Sequence, residues 1–267
     1  MIPKRIAQPV PGYVAAHGLL QGRRVVITAA AGAGIGAAAA RRCLEEGAAL
    51  VVLGDTHAGR LEASAAELGA EFGTERVSYA VCDVTVEEQV EALLDVAEAA
   101  GGVDVMINNA GLGGTASILE MEDDQWDKVL NVTLTGTFRS VRAASRRMVK
   151  NKTKGTIINN ASVIGWRAQE GQAHYAAAKA GVMALTRSAA LDVAPHGIRI
   201  NAVAPSLAMH PFLAKVTSEE LLEQLTSREA FGRAAEPWEI ANVMVFLASD
   251  YSSYMTGEVV PVSSQQA

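Results

Sequence analysis

The chain has 267 residues, 49% hydrophobic and 19% charged, which suits one well-buried α/β core near the upper size of a single domain. A net charge of −6 with no basic run argues against nucleic acid as a partner, and two cysteines, Cys43 and Cys82, argue against a disulfide framework and fit a reducing cytoplasm. The five histidines (His17, His57, His174, His196, His210) lack metal-ligand spacing, so no metal is expected; no apolar run reaches the roughly 18 residues of a membrane helix, and no signal-peptide core is present.

Residues 1–22 hold three prolines and little periodicity, and read as an N-terminal arm before a domain at 23–267. Arg24–Thr28 is a short apolar strand. Ala29-Ala-Ala-Gly32-Ala-Gly34-Ile35-Gly36 follows, and Ala37–Glu46 reads as a helix. Strand, glycine-rich turn and helix together suit a pyrophosphate, because glycines let backbone N–H groups approach it and a helix N-terminus carries partial positive charge. The second strand, Ala49–Leu53, runs into Asp55, 19 residues after Gly36. A carboxylate there can accept hydrogen bonds from ribose hydroxyls and would repel a 2′-phosphate, so NAD is expected over NADP. Capping of the next helix is the competing role for Asp55.

The alternation continues. Leu61–Leu68 reads as a helix and Val77–Val81 as a strand ending at Cys82-Asp83-Val84. Val86–Ala99 has the helical apolar period, through Val90, Leu93, Leu94 and Ala97. Val103–Ile107 is a strand ending in Asn108-Asn109-Ala110-Gly111, and Trp126–Met148 is one long helix. Gly155–Asn160 is a strand, Ala173–Val193 a helix, and Ile198–Val203 a strand before Pro205-Ser206. Residues 207–230 read as a mobile helical insertion on the substrate side, followed by a helix at Pro237–Ala248 and a last strand at Glu258–Val262. Seven strands alternating with six main helices predict an α/β fold: a doubly wound, Rossmann-type parallel sheet with helices on both faces, in one domain.

Tyr175 and Lys179, four apart on a helix, share a face, and Ser162 lies thirteen residues before Tyr175 at the end of an apolar strand. A phenol there can exchange a proton with a substrate oxygen. A lysine charge roughly 4–5 Å away at an effective dielectric of about 20 supplies roughly 3–4 kcal/mol, which would bring a phenol of pKa about 10 near 7.

The glycine turn at 28–36, Asp83, the Asn108–Gly111 run, Ser162, Tyr175 and Lys179 resemble, in order and spacing, the short-chain dehydrogenase/reductase family over nearly the whole chain. The resemblance implies an NAD-dependent alcohol dehydrogenase or ketone reductase, with Tyr175 as general acid/base, Lys179 tuning it and holding the nicotinamide ribose, and Ser162 bonding the substrate oxygen. It assigns the cofactor to Thr28, Gly32, Gly34, Ile35, Gly36, Asp55, Asp83, Val84, Asn109, Ala110, Gly111, Tyr175, Lys179 and Pro205. It also implies a homo-oligomer, a tetramer or a dimer, through the small-residue faces of the helices at 126–148 and 173–193.

Four departures stand out. Ala29 replaces a glycine and the turn has one extra residue. The family's helix asparagine falls at Thr133, whose backbone carbonyl is expected to take over its water, while Asn131 would point elsewhere. The family's Pro-Gly is Pro205-Ser206, with its threonine at His210, and the C-terminal strand ends in Ser263-Ser-Gln-Gln. With Gly165-Trp-Arg-Ala-Gln and Phe231-Gly-Arg-Ala-Ala-Glu-Pro-Trp238, these resemble an actinobacterial steroid-degrading branch whose members act on a bicyclic methyl-indane carboxyl-CoA. Trp166 would then offer a ring surface and Arg167 a cation for a CoA ester, or simply core and solvated loop. His174 and Met183 read as packing and Met209 as lid. A 3-oxoacyl-thioester reductase and a non-catalytic nucleotide-binding regulator are the alternatives.

Overall fold

The computed structural model describes residues 7–209 and 219–264. Seven strands form one parallel sheet in the order β3-β2-β1-β4-β5-β6-β7. They are β1 Arg24–Thr28, β2 Leu50–Asp55, β3 Val77–Val81, β4 Val105–Asn108, β5 Thr156–Asn160, β6 Arg199–Pro205 and β7 Val259–Val262. Between them run α1 Ile35–Glu45, α2 Ala58–Phe72, α3 Glu87–Ala99, α4 Asp123–Leu130, α5 Gly136–Asn151, α6 Ala173–Val193, α7 Glu219–Ser227 and α8 Pro237–Ala248. The doubly wound reading is the observed fold.

Strand side chains alternate between two cores, as the two-residue period requires. Val25 and Ile27 face one way, with Leu53, Ile107 and Val203, and α1, α2 and α8 cover them. Val26 faces the other way, with Val52, Met106, Ile157 and Ile200, beneath α3, α5 and α6. Buried on both sides, the central strands read as unbroken apolar runs. Pro261 sits on the edge strand, where its missing N–H leaves no central ladder bond unmade.

Two expectations need correction. The helix expected at 126–148 is α4 and α5 joined through a π-turn at Asn131–Thr135. Trp166 is 51% exposed, so it is not core. Residues 7–22 lie against the body: Glu46 accepts from the His17 and Leu19 N–H groups, Arg42 donates to the Val14 and Ala15 carbonyls, and the Tyr13 ring meets Trp238 edge-on at 5.2 Å. Of the segment at 207–230, residues 210–218, including His210, lie outside the described residues. So do Gln265 and Gln266 of the C-terminal departure.

The strand order reverses between β1 and β4, and that crevice at the carboxyl edge is where a doubly wound sheet takes ligands. Thr28, Asp55, Asn108, Asn160 and Pro205 are the last residues of five of its strands.

Candidate active site

β5 ends at Asn160, and Ser162 then caps a short turn at Val163–Gly165, its Oγ accepting from the Ile164 N–H at 3.3 Å. The same hydroxyl faces the Pro205 carbonyl at 3.5 Å, which ties the β5 loop to the end of β6. α6 begins at Ala173, so Tyr175 falls in its first turn and Lys179 one turn further in. The structure brings Ser162, Tyr175 and Lys179 together. The Ser162 hydroxyl is close enough to lower the phenol's pKa, and the Lys179 ammonium lies 5.5 Å from the Tyr175 ring centroid.

The expected lowering of the phenol pKa toward 7 is not what the structure shows. Burial pushes Tyr175 up to about 12, only partly opposed by the Ser162 hydrogen bond. Burial likewise pulls Lys179 down to about 8. The ammonium is turned toward the Asn160 carbonyl, 2.5 Å away, and desolvation of the charged form is the largest cause of the shift in each group.

On the other side of the crevice, the Thr28 Oγ1 accepts from the Asn109 and Ala110 N–H groups, both at 3.0 Å, and pins the β4 loop to β1. Gly36 is required by contact: a Cβ there would lie 2.2 Å from the Ala29 carbonyl oxygen and 2.5 Å from the Asn109 amide nitrogen. Ala29 itself stands at φ +51°, the left-handed region where a glycine is free and an alanine is strained. The extra residue is absorbed next to it, with Gly32 at φ +88° and its N–H bonded to the Ser64 Oγ at 3.1 Å.

The chemistry of these residues suits a dinucleotide. Gly32 and Gly34 border a cavity of about 200 Å³ that runs between α1 and α2, past Ala37, Ala38, Arg41, Ser64, Glu67 and Leu68 and away from Tyr175, and a Cβ at either glycine would meet nothing within 4 Å. No atom fills the space beside these two Cα positions, next to the N-terminus of α1. Ile35 opens α1 behind them. Asp55 is buried at the β2 end and accepts from the Ala31 and His57 N–H groups, leaving each carboxylate oxygen a further lone pair. Arg60 approaches it at 3.9 Å. The Asp83 carboxylate is held by the Thr85 N–H and hydroxyl, and Val84 packs where a Cβ on Gly136 would collide with it. Gly111 lies beside Lys179, its Cβ position 3.3 Å from the ammonium nitrogen. Asp55 and Asp83 border one end of this edge and Lys179 the other, an arrangement whose donors and clear space suit a dinucleotide.

The Thr133 carbonyl is buried and shares its two lone pairs with a side chain. That oxygen already accepts from the Thr137 hydroxyl at 2.7 Å, and the Thr133 hydroxyl binds the Leu112 N–H and carbonyl, at 3.0 and 3.2 Å. Asn131 does point elsewhere, to Arg139. The oxygen beside Lys179 belongs instead to Asn160, whose side chain also donates to Asn109 at 2.9 Å. Sequence reasoning missed Asn160, although an Asn-Asn pair closing a buried apolar strand is a visible signal. Ser64 and Thr137 gave no such signal. His174 is buried, as its packing role required, and so is Met183; Met209 is half-buried.

Comparison with known proteins agrees with this geometry. Residues 29–264 match the family model described as Enoyl-(Acyl carrier protein) reductase, adh_short_C2. The chain is 59% identical over 256 residues to the (5R,7aS)-5-hydroxy-7a-methyl-1-oxo-2,3,5,6,7,7a-hexahydro-1H-indene-carboxyl-CoA reductase of Mycobacterium tuberculosis, covering 96% of this chain and 97% of that one. It is 38% identical to a 3-oxoacyl-acyl-carrier-protein reductase of Thermotoga maritima, covering 91% and 97%. A short chain dehydrogenase from Mycobacterium smegmatis superimposes with a TM-score of 0.85 at 53% identity, over 97% of this chain and 99% of that one. Sequence, sheet topology and relatives therefore agree, and the chain belongs to the short-chain dehydrogenase/reductase family of oxidoreductases, which act on small molecules with a nicotinamide cofactor.

Proposed function

We propose that this protein reduces a ketone, and reversibly oxidises the matching secondary alcohol, on a bulky alicyclic, steroid-derived acid carried as a CoA thioester. The observation that carries the reaction is the convergence of Ser162, Tyr175 and Lys179 at the open end of the sheet. The substrate class rests on the similarity to the M. tuberculosis indene-carboxyl-CoA reductase. When bound, the nicotinamide supplies the hydride. Tyr175 gives its phenolic proton to the carbonyl oxygen, and Ser162 donates a hydrogen bond to the same oxygen. Lys179, still mostly protonated at pH 7 with a pKa of about 8, offsets the negative charge left on the phenolate. A phenol held near 12 is a proton donor at neutral pH, so the resting state suits reduction. The cofactor contacts are proposed as Thr28, Gly32, Gly34, Ile35, Gly36, Asp55, Asp83, Val84, Asn109, Ala110, Gly111, Tyr175, Lys179 and Pro205. The working unit is one domain over residues 23–267, with a substrate-side insertion near 207–230.

Asp55 favours NAD(H) over NADP(H), since a 2′-phosphate would meet its carboxylate. The similarity to the T. maritima enzyme favours a second reading, 3-oxoacyl-thioester reduction. A non-catalytic regulator is disfavoured because Tyr175 and Lys179 are both present and adjacent. We place the protein in the cytoplasm; no helix among the described residues is long and apolar enough to cross a membrane, and both cysteines are free.

Absorbance of the reduced nicotinamide, followed with a panel of bicyclic keto-acid CoA thioesters and linear 3-oxoacyl thioesters, tests the reading. We expect kcat/KM at least about tenfold higher for the bicyclic thioesters and for NADH. Preference for linear thioesters with NADPH would replace it with the second reading.

A further inference from the structure

Glu229 is only 1% exposed, between α7 and α8, and makes no ion pair among the described residues. A buried carboxylate without a cation is costly unless donors surround it. Three do: the Ser206 hydroxyl at 3.1 Å, the Ser264 hydroxyl at 2.8 Å and the Leu207 N–H at 3.4 Å. Two of these donors are the positions at which the sequence departs from its family, a serine for glycine after Pro205 and the serine run after β7. A glycine at 206 would have no hydroxyl to give.

Backbone bonds converge on the same place. The Ala230 N–H donates to the Ser264 carbonyl at 2.6 Å, the Ala235 N–H to the Leu207 carbonyl at 2.8 Å, and the Met209 N–H to the Ala235 carbonyl at 2.9 Å. The outgoing leg of the substrate-side segment (206–209), its return leg (229–235) and the end of the C-terminal strand are thus held around one carboxylate. Pro205 directly precedes the clamp, and its carbonyl is the one that Ser162 faces.

We propose that Glu229 is a positioning residue: it fixes residues 206–209 and 229–235 against the Pro205–Ser206 turn, and so sets the carbonyl beside Ser162 where the substrate oxygen would lie. This deepens the hydride-transfer reading and uses it only for the kinetic half of the test. Glu229→Ala is compared with wild type by amide hydrogen exchange and by steady-state kinetics. We expect the Met209, Ala230 and Ala235 amides to exchange at least about tenfold faster, with Val26 and Ile158 unchanged. Substrate KM should rise about tenfold or more, as loss of buried hydrogen bonds implies, while kcat changes less. Ser264→Ala, the milder variant, should move the same amides and KM in the same direction, and combined with Glu229→Ala should add little. Unchanged exchange in both variants would overturn the clamp. Faster exchange with unchanged KM would overturn its positioning role. A wild-type protein that reduces no carbonyl substrate would defeat the functional reading, while the exchange pattern would still decide the clamp.

Discussion

Burial acts on Tyr175 and Lys179 in opposite senses, because one is charged without its proton and the other with it. The consequence for stability has a definite sign. Folded, Lys179 gives up its proton near 8 against an ordinary 10.5, so between those values the unfolded chain binds more protons and stability rises with pH. Below 8 both states hold the proton, and burying the charge is a constant cost. Tyr175, raised from 10.0 to about 12, reverses the trend above pH 10, where the folded chain binds the extra proton. Lys179→Met should therefore lose the rise: between pH 7 and 9.5 wild type should gain about 2 kcal/mol on the variant in urea unfolding. Parallel pH curves would contradict the buried, depressed lysine. At this scale the sequence showed the identities and spacing of Ser162, Tyr175 and Lys179, because two sit one turn apart on a helix and the third closes a strand. It could not show where the ammonium points. That depends on the Asn160 carbonyl, a backbone atom on another element. For the same reason the bond from the Thr137 hydroxyl to the Thr133 carbonyl was hidden: the two are neighbours only once the turn is wound.

Elements with strong end signals were read accurately. α8 starts with Pro237 in its first turn and a reciprocal Glu236–Glu239 cap, and α6 matches its expected bounds. The π-turn at Asn131–Thr135 was invisible because one extra residue in a turn leaves the apolar pattern on either side intact. The turn re-phases the helix so that Thr133 faces the Leu112 loop and Asn131 faces outward. The small residues of α5 and α6 divide by burial. Ala143, Ala144, Ala178 and Ala190 pack inside the chain, whereas Ala177, Ala184 and Leu191, seven apart, are exposed along one face of α6, and Phe138 of α5 is 41% exposed. We propose that this face pairs with a second copy, in a dimer or tetramer. Sedimentation should show an oligomer that Leu191→Arg weakens at least about tenfold, since a charge would be buried at the seam. A wild-type monomer at micromolar concentration would remove the proposal.

Across the whole molecule, the seven-strand parallel sheet followed from alternation alone, while the strand order, 3-2-1-4-5-6-7, became known only from the structure. The fastening of residues 7–22 was also hidden, since Tyr13 on Trp238 and Arg42 on the Val14 carbonyl join distant parts of the chain with no local pattern. What the sheet accomplishes is to bring strand ends far apart in sequence into one crevice, so that a phenol with a high pKa, a serine and a cation meet there across from the glycine turn. The most direct test of that account is Tyr175→Phe, assayed for ketone reduction and for NADH binding by fluorescence. We expect kcat to fall about 10²–10⁴-fold with the NADH dissociation constant within about twofold of wild type. Reduction that continues undiminished without the phenolic hydroxyl would contradict it.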